Sequence, residues 1–405
     1  MTPPLSVYLH IPFCQVRCAY CDFNTYAGLD DLIEPYTQAL AREIGLVSQA
    51  GGRPAVHTVF FGGGTPSLLP LHAYERLFRA LHTHFVLMPG CEITLEANPG
   101  TISRDYLRGL RGLGVNRLSF GVQSSHPHEL RLLDRLHLFG DVVQAVRWAR
   151  AAGFDDLNLD LIFALPQQTL HQWQQTLERV VALGPEHVSA YALSLEHGTP
   201  MRAWVYKGLL PMPDPDLAAE MYEWTSDRLA GYGYAQYEIS NWARGGDGSP
   251  ALPRYACHHN VQYWRNEPYL GLGAGAHGFA AGLRYADVLA PAAYIQRLSG
   301  EAAARPYPLS PAVAQHSPVS RDDALGETMM MGLRLTDEGV TDARFRARFG
   351  LGLADRYGAE IERLQQRGLV DWDGERLRLT SGGRLLGNEV FAAFLIDPQR
   401  DVTHG

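Results

Sequence analysis

Between Leu5 and about residue 197, short runs rich in β-branched and aromatic residues alternate with longer amphipathic stretches. The runs are LSVYLHI, HTVFFGG, CEITLEAN, NRLSFGVQ, DLNLDLIFALP and HVSAYALSLE. Between them, DLIEPYTQALAREIGLVSQA, LHAYERLFRALHTHF, RDYLRGLRGLG, DVVQAVRWARAAG and LHQWQQTLERVVALG carry apolar residues at helical spacing. This alternation predicts a parallel sheet of six strand and helix repeats. A closed barrel needs eight, so the expected fold is α/β, an open partial (β/α)6 barrel of the TIM type. Thr65, Glu96, Asn98, Gln123 and Asp160 fall at or just past strand ends, where the loops of parallel sheets converge on ligands.

After EHGTP the pattern changes. A helix around DPDLAAEMYEWTSDRLAGYGY leads into a Gly-, aromatic- and His-rich region expected to extend or cap the open side of the barrel. Residues 301–320, EAAARPYPLSPAVAQHSPVS, read as a linker or surface excursion. From Arg321 onward, helical patterns precede DWDGERLRLT, a hairpin turning at Asp373-Gly374, and a last helix; helices followed by a hairpin suggest a winged-helix-like domain. The expected organisation is therefore 1–200, the partial barrel; 201–300, its extension; 301–320, the linker; and 321–405, the C-terminal domain.

Composition narrows the function. Lys plus Arg number 35 against 43 Asp plus Glu, a net charge of -8, which gives no general attraction to nucleic acid or anionic membranes. The short run ARFRAR in the tail is balanced by neighbouring acids, so no nucleic-acid partner is expected. No apolar stretch reaches the length of a membrane span and the start carries no secretory pattern, which predicts a cytoplasmic protein. In a reducing compartment, five cysteines with three of them bunched point to metal or redox chemistry rather than to disulfides.

Cys14, Cys18 and Cys21 are spaced C-x-x-x-C-x-x-C in HIPFCQVRCAYCDF. Three thiolates can ligate three irons of a cubane 4Fe-4S cluster and leave the fourth iron open to a small molecule. The competing readings are a structural zinc site, which would need a fourth donor, and three unrelated thiols. Cys91, opening a strand, reads as an ordinary buried thiol, and Met329, Met330 and Met331 read as core.

YLHIPFCQVRCAYCDF resembles the cluster loop of radical S-adenosylmethionine (SAM) proteins, in which an aromatic residue, here Tyr20, precedes the third cysteine. FFGGGTPSLL, LEANPG, RLSFGVQS, RLH and NLDLIFALPQQT continue the resemblance in the same order. It implies a 4Fe-4S cluster on Cys14, Cys18 and Cys21, with SAM chelating the open iron and a low-potential electron donor as partner. It further implies a SAM pocket built by Tyr8, Tyr20, Gly63, Gly64, Thr65, Glu96, Gln123, Arg135 and Asp160. Chemistry agrees with these types: carboxylates suit an amino group or ribose hydroxyls, and a guanidinium pairs with a carboxylate.

Two branches share this architecture: oxygen-independent coproporphyrinogen III oxidases, and look-alikes that act as haem chaperones. The oxidases resemble C-x-x-x-C-x-x-C-x-C, whereas position 23 here is Phe. HNVQYW at residues 259–264 matches the H-N-x-x-Y-W pattern of the chaperones, implying haem as cargo passed to acceptor proteins. His259 and Tyr263 are the candidate haem donors, with His258, Cys257 and His277 as further ligand candidates, and Trp264 offers a flat apolar face. The alternatives are a porphyrinogen-decarboxylating oxidase and, from another class, an Fe-S or zinc protein acting on nucleic acid through its tail.

Overall fold

The computed structural model describes residues 4–245, 252–300 and 305–395. The chain forms two compact units, each discontinuous in sequence: Met1–Asp227 with Pro268–Ser317, and Arg228–Glu267 with Pro318–Gly405. Among the described residues, no helix is long and apolar enough to cross a membrane.

The first unit is built on six strands: β1 (Leu5–Ile11), β2 (Ala55–Gly63), β3 (Val86–Ala97), β4 (Arg117–Gln123), β5 (Leu157–Phe163) and β6 (His187–Ala192). They lie side by side in chain order, every neighbouring pair parallel. Helices α1 (Ile33–Ala50), α2 (Leu71–His84), α3 (Arg104–Leu113), α4 (Phe139–Ala151) and α5 (Leu170–Val181) make the crossovers, as parallel pairing requires. Val7, Leu9, Ile11, Val59, Phe61, Leu95, Leu118, Phe120, Leu157, Leu159 and Leu161 are all fully buried. Removing each such side chain from water contributes roughly 1.5–3 kcal/mol. The fold is the open (β/α)6 partial barrel expected from the pattern.

Beyond β1 the sheet continues with Tyr269–Leu272, parallel to β1, then His277–Ala280 and Leu283–Asp287 in antiparallel sequence, and Val313–Pro318 at the edge. The glycine-rich stretch thus extends the barrel sheet. Residues 301–304 of the expected linker lie outside the described residues. Residues 313–318 form a strand, with Val313 buried and the remaining five exposed. An edge strand covered at one position has almost no hydrophobic alternation to read.

In the second unit, a hairpin of Ala235–Glu238 and Asn241–Ala243 and the helix His258–Trp264 accompany helices Arg321–Gly332, Asp342–Phe349 and Leu353–Gln366. A three-stranded antiparallel sheet of Val340–Thr341, Arg376–Leu379 and Val370–Trp372 follows the winged-helix pattern. Its hairpin turns at Asp373-Gly374, where the Asp373 carboxylate accepts from the backbone N–H groups of Glu375 (2.9 Å) and Arg376 (2.7 Å) and Gly374 takes φ +94°. Leu325, Met329, Leu333, Phe345, Leu353, Ile361, Leu377 and Val390 share one core. Residues 228–267, read from sequence as part of the barrel extension, therefore belong with the tail; no local signal marks a partnership with residues far along the chain.

Candidate cluster and cofactor site

Cys14 ends the two-residue strand Phe13–Cys14, which pairs in parallel with Tyr26–Ala27 and so closes the cysteine loop on itself. Cys18 and Cys21 lie within it, tied by a bond from the Cys21 N–H to the Cys18 carbonyl (3.1 Å). The loop is anchored from beneath. Ala19 is fully buried with Leu133, Ile162, Leu165 and Met201, and the Met201 N–H donates to its carbonyl (2.9 Å).

A second set of bonds fixes the returning chain. His10 is buried, and its Nε2 stands 2.9 Å from the Asn24 carbonyl, so Nε2 carries the proton and donates. Its Nδ1 then accepts from the Tyr8 hydroxyl at 2.9 Å. Burial pulls the His10 pKa down, consistent with this neutral ring. The Asn24 side chain donates to the carbonyls of Ala274 and Leu289, both at 2.9 Å.

The three thiols open on a cavity of about 430 Å³. Its walls include Tyr20 from the cysteine loop, Gly63, Gly64, Thr65, Glu96, Gln123 and Asp160 on or just beyond β2 to β5, and Arg135 from the segment between β4 and α4. Register explains the convergence: Glu96 pairs opposite Ser119, and Gly121 opposite Asp160. Tyr8 stands behind this wall, on His10. His259 and Tyr263 lie in the second unit on one helix, where His259 Nε2 meets the Tyr263 hydroxyl at 2.9 Å. His259 is buried and His258 exposed.

Two glycines are dictated by close approach. Gly63 has φ +114°, and a Cβ there would stand 2.5 Å from the His10 ring. A Cβ on Gly64 would meet the carbonyls of Phe13 (2.7 Å) and Ile11 (2.9 Å) and Cys14 Sγ (3.0 Å). Any larger residue would push the backbone off the cysteine loop.

Electrostatics divide the wall. Arg135 donates through Nη2 to Asn98 Oδ1 (2.5 Å) and to the Gly121 carbonyl (2.6 Å), and through Nη1 toward Cys18 Sγ (3.8 Å). Across from it, Asp160 accepts from Ser119 Oγ (2.7 Å) and Asn158 Nδ2 (2.8 Å). Glu96 accepts a 3.1 Å bond from the Gly63 N–H. Its burial, with the Asp160 charge nearby, pushes its pKa up to about 7. Burial also raises the Cys14 and Cys21 thiols, so deprotonation there calls for a bound cation.

The donor set fits an iron-sulfur cluster with a small-molecule ligand. Three soft sulfurs face a cavity with room beyond them, polar on one side and lined by Tyr20 and Ile162 elsewhere; buried Thr25 Oγ1 has no hydrogen-bond partner among the described residues. Among the described residues, no three His, Cys, Asp or Glu side chains converge as they would for a single metal ion. Asn98, Ser119, Thr25, Tyr191 and Glu196 also line the cavity without having been assigned to the pocket from sequence. Asn98 was legible as a strand-end polar residue, whereas Ser119 and Thr25 carry no local signal.

Residues 8–180 match the Radical SAM superfamily, and residues 319–386 match the HemN C-terminal domain. The chain is 39% identical over 395 residues to the heme chaperone HemW of Mycobacterium tuberculosis, covering 97% of this chain and 95% of that one. It is 37% identical over 393 residues to the heme chaperone HemW of Bacillus subtilis, covering 96% and 99%. Bovine radical S-adenosyl methionine domain-containing protein 1, mitochondrial, is 37% identical over 388 residues, 93% of this chain and 84% of the relative. Among solved structures, coproporphyrinogen III oxidase (HemN) from Escherichia coli, a radical SAM enzyme, aligns with a TM-score of 0.80 at 26% identity, covering 97% of this chain and 90% of that one.

Proposed function

The chain belongs to the radical SAM superfamily, in its haem chaperone branch, and from that premise we propose that it binds haem and passes it to acceptor proteins while holding a 4Fe-4S cluster and SAM. The observation that carries the cofactor half is the cavity itself, on which three cysteines open together with Glu96, Asp160 and Arg135. Cys14, Cys18 and Cys21 would hold the cluster, which when bound would supply low-potential one-electron reduction of SAM.

The chain's own groups bind and orient SAM. Glu96 and Asp160 are the acceptors for its ammonium and ribose hydroxyls. Arg135, fixed on the Asn98 side chain and the Gly121 carbonyl, is the cation for its carboxylate. Gln123, with Gly63, Gly64 and Thr65, completes the cradle, and Tyr20 shields the cysteine loop from water. Tyr8 acts through His10, holding the ring that fastens the loop at Asn24. A cationic ligand reaching Glu96 displaces its proton, because the ion pair replaces the lost hydration.

For haem, His259 and Tyr263 are the proposed donors. Either would have to leave the bond between them to ligate iron. The heme chaperone HemW relatives are 32–39% identical, above the 26% of the oxidase, and Phe23 stands exposed on the cavity where the oxidases carry a further cysteine. Coproporphyrinogen oxidation is therefore not favoured. Nor is a nucleic-acid role, since Arg344 pairs with Glu267 and Glu338, and Arg346 with Asp342 and Asp355. The cytoplasm, a reducing compartment, suits these thiols. The test is parallel assay of anaerobically reconstituted protein: haem titration with transfer to an apo-haemoprotein, against coproporphyrinogen turnover. Haem retention and delivery is the expected result; turnover without haem retention would reverse the assignment.

A further inference from the structure

The cysteine sulfurs differ in the donors around them. Cys18 Sγ has Arg135 Nη1 at 3.8 Å, and Cys14 Sγ has the Thr65 hydroxyl at 3.6 Å. Thr65 Oγ1 in turn accepts from Asn98 Nδ2 (3.2 Å), which orients its proton toward the sulfur. The third neighbour is Thr25. It is 6% exposed, lines the same cavity as Cys14 and Cys21, and its Oγ1 has no hydrogen-bond partner among the described residues.

A buried hydroxyl without an acceptor is costly, and one beside a metal site is explained by an acceptor that arrives with the metal. The backbone holds Thr25 in place on both sides. Asn24 is pinned by His10 and by the carbonyls of Ala274 and Leu289. The Tyr26 N–H donates to the Pro12 carbonyl (2.8 Å), within the pairing that carries Cys14. This pairing holds Thr25 on the wall of the cavity that the three thiols line. As thiolates, Cys14 and Cys21 offer acceptors of the kind it lacks.

We propose that Thr25 raises the reduction potential of the 4Fe-4S cluster by donating the one proton of its buried hydroxyl to a thiolate of the cysteine loop, Cys14 or Cys21, with Thr65 acting likewise on Cys14. The inference rests on the cluster assignment above and adds to it a residue whose role is electronic. When the cluster takes one electron from a low-potential donor, the added negative charge spreads onto its sulfurs; no proton moves and no bond is made or broken. Hydrogen bonds to those sulfurs favour the more negative, reduced state and raise the potential.

Dithionite titrations with redox mediators, followed by electron paramagnetic resonance (EPR), test this on anaerobically reconstituted full-length protein. Thr25→Val keeps the branched shape and removes the donor. It is expected to lower the reduced-to-oxidised ratio at fixed potential about threefold, which is about 30 mV more negative at 59 mV per tenfold for one electron. Thr25→Ser is expected to stay at the wild-type potential, and Thr65→Val to shift in the same direction as Thr25→Val. Should Thr25→Val fail to fold, Thr25→Ala carries the same expectation. An unmoved potential in Thr25→Val with full iron and sulfide content would overturn the proposal, as would a Thr25→Ser shift equal to that of valine. Iron and sulfide analysis of the wild type tests the cluster separately, and haem titration tests the haem reading; neither depends on Thr25.

Discussion

The cysteine loop and the HNVQYW helix are both rich in potential metal ligands, yet they are built differently. Around the loop, side chains from several strands converge on a cavity, and Thr25 and Glu96 are left short of partners. On the helix His258–Trp264, the chief candidate is already engaged: His259 is buried and bonded to Tyr263, four residues on. The first arrangement is a preformed receptacle, and the second a local contact that must open before iron can enter. SAM binding is accordingly expected to need little rearrangement, and haem binding to carry the cost of breaking that bond.

The largest effect should come from the loop. Cys18→Ser is expected to reduce bound iron from about four per chain to near zero, by iron and sulfide analysis after anaerobic reconstitution, with the second unit's helical signal intact. Next is Arg135→Ala, which leaves the Asn98 and Gly121 oxygens without their cation. SAM affinity is expected to fall about a hundredfold by equilibrium binding, and Arg135→Lys to restore little, because one ammonium cannot serve the geometry of a guanidinium.

Glu96 sharpens the electrostatic side of the comparison. With its pKa near 7, about one-tenth of it is ionised at pH 6 and about nine-tenths at pH 8, so SAM affinity at pH 6 should be about tenfold weaker. Glu96→Gln should flatten that dependence. Stability runs the other way. Unfolded, Glu96 titrates near about 4, so the ligand-free folded protein binds the extra proton between there and 7, and its stability falls as pH rises through that window. The smallest effect distinguishes the regions. His259→Ala should weaken haem binding about tenfold, as expected for losing one donor to the iron, while leaving iron, sulfide and SAM binding at wild-type levels.

The six repeats were legible from local periodicity and the three cysteines from their short spacing, while Glu96, Gln123 and Asp160 stood out only as strand-end polar residues and Arg135 only through the family resemblance. What escaped has a common physical cause. Thr25 is an ordinary threonine until the pairing of Phe13–Cys14 with Tyr26–Ala27 places it on the cavity that the cysteines line. Ser119 looks like any polar position on a strand until register sets it against Glu96 and beside Asp160. The strand Val313–Pro318 buries one side chain and reads as loop. Residues 228–267 join the tail through long-range packing that no window of sequence contains. Tyr8 shows the converse: the resemblance placed it in the pocket, and the structure puts it one step behind, on His10.

The most direct test of the central claim is Mössbauer spectroscopy of 57Fe-reconstituted protein, anaerobically, with and without SAM. A cluster held by three cysteines should show one iron in four changing its isomer shift and quadrupole splitting when SAM is added, the other three staying in place. Zinc in place of iron, or four irons indifferent to SAM, would contradict it.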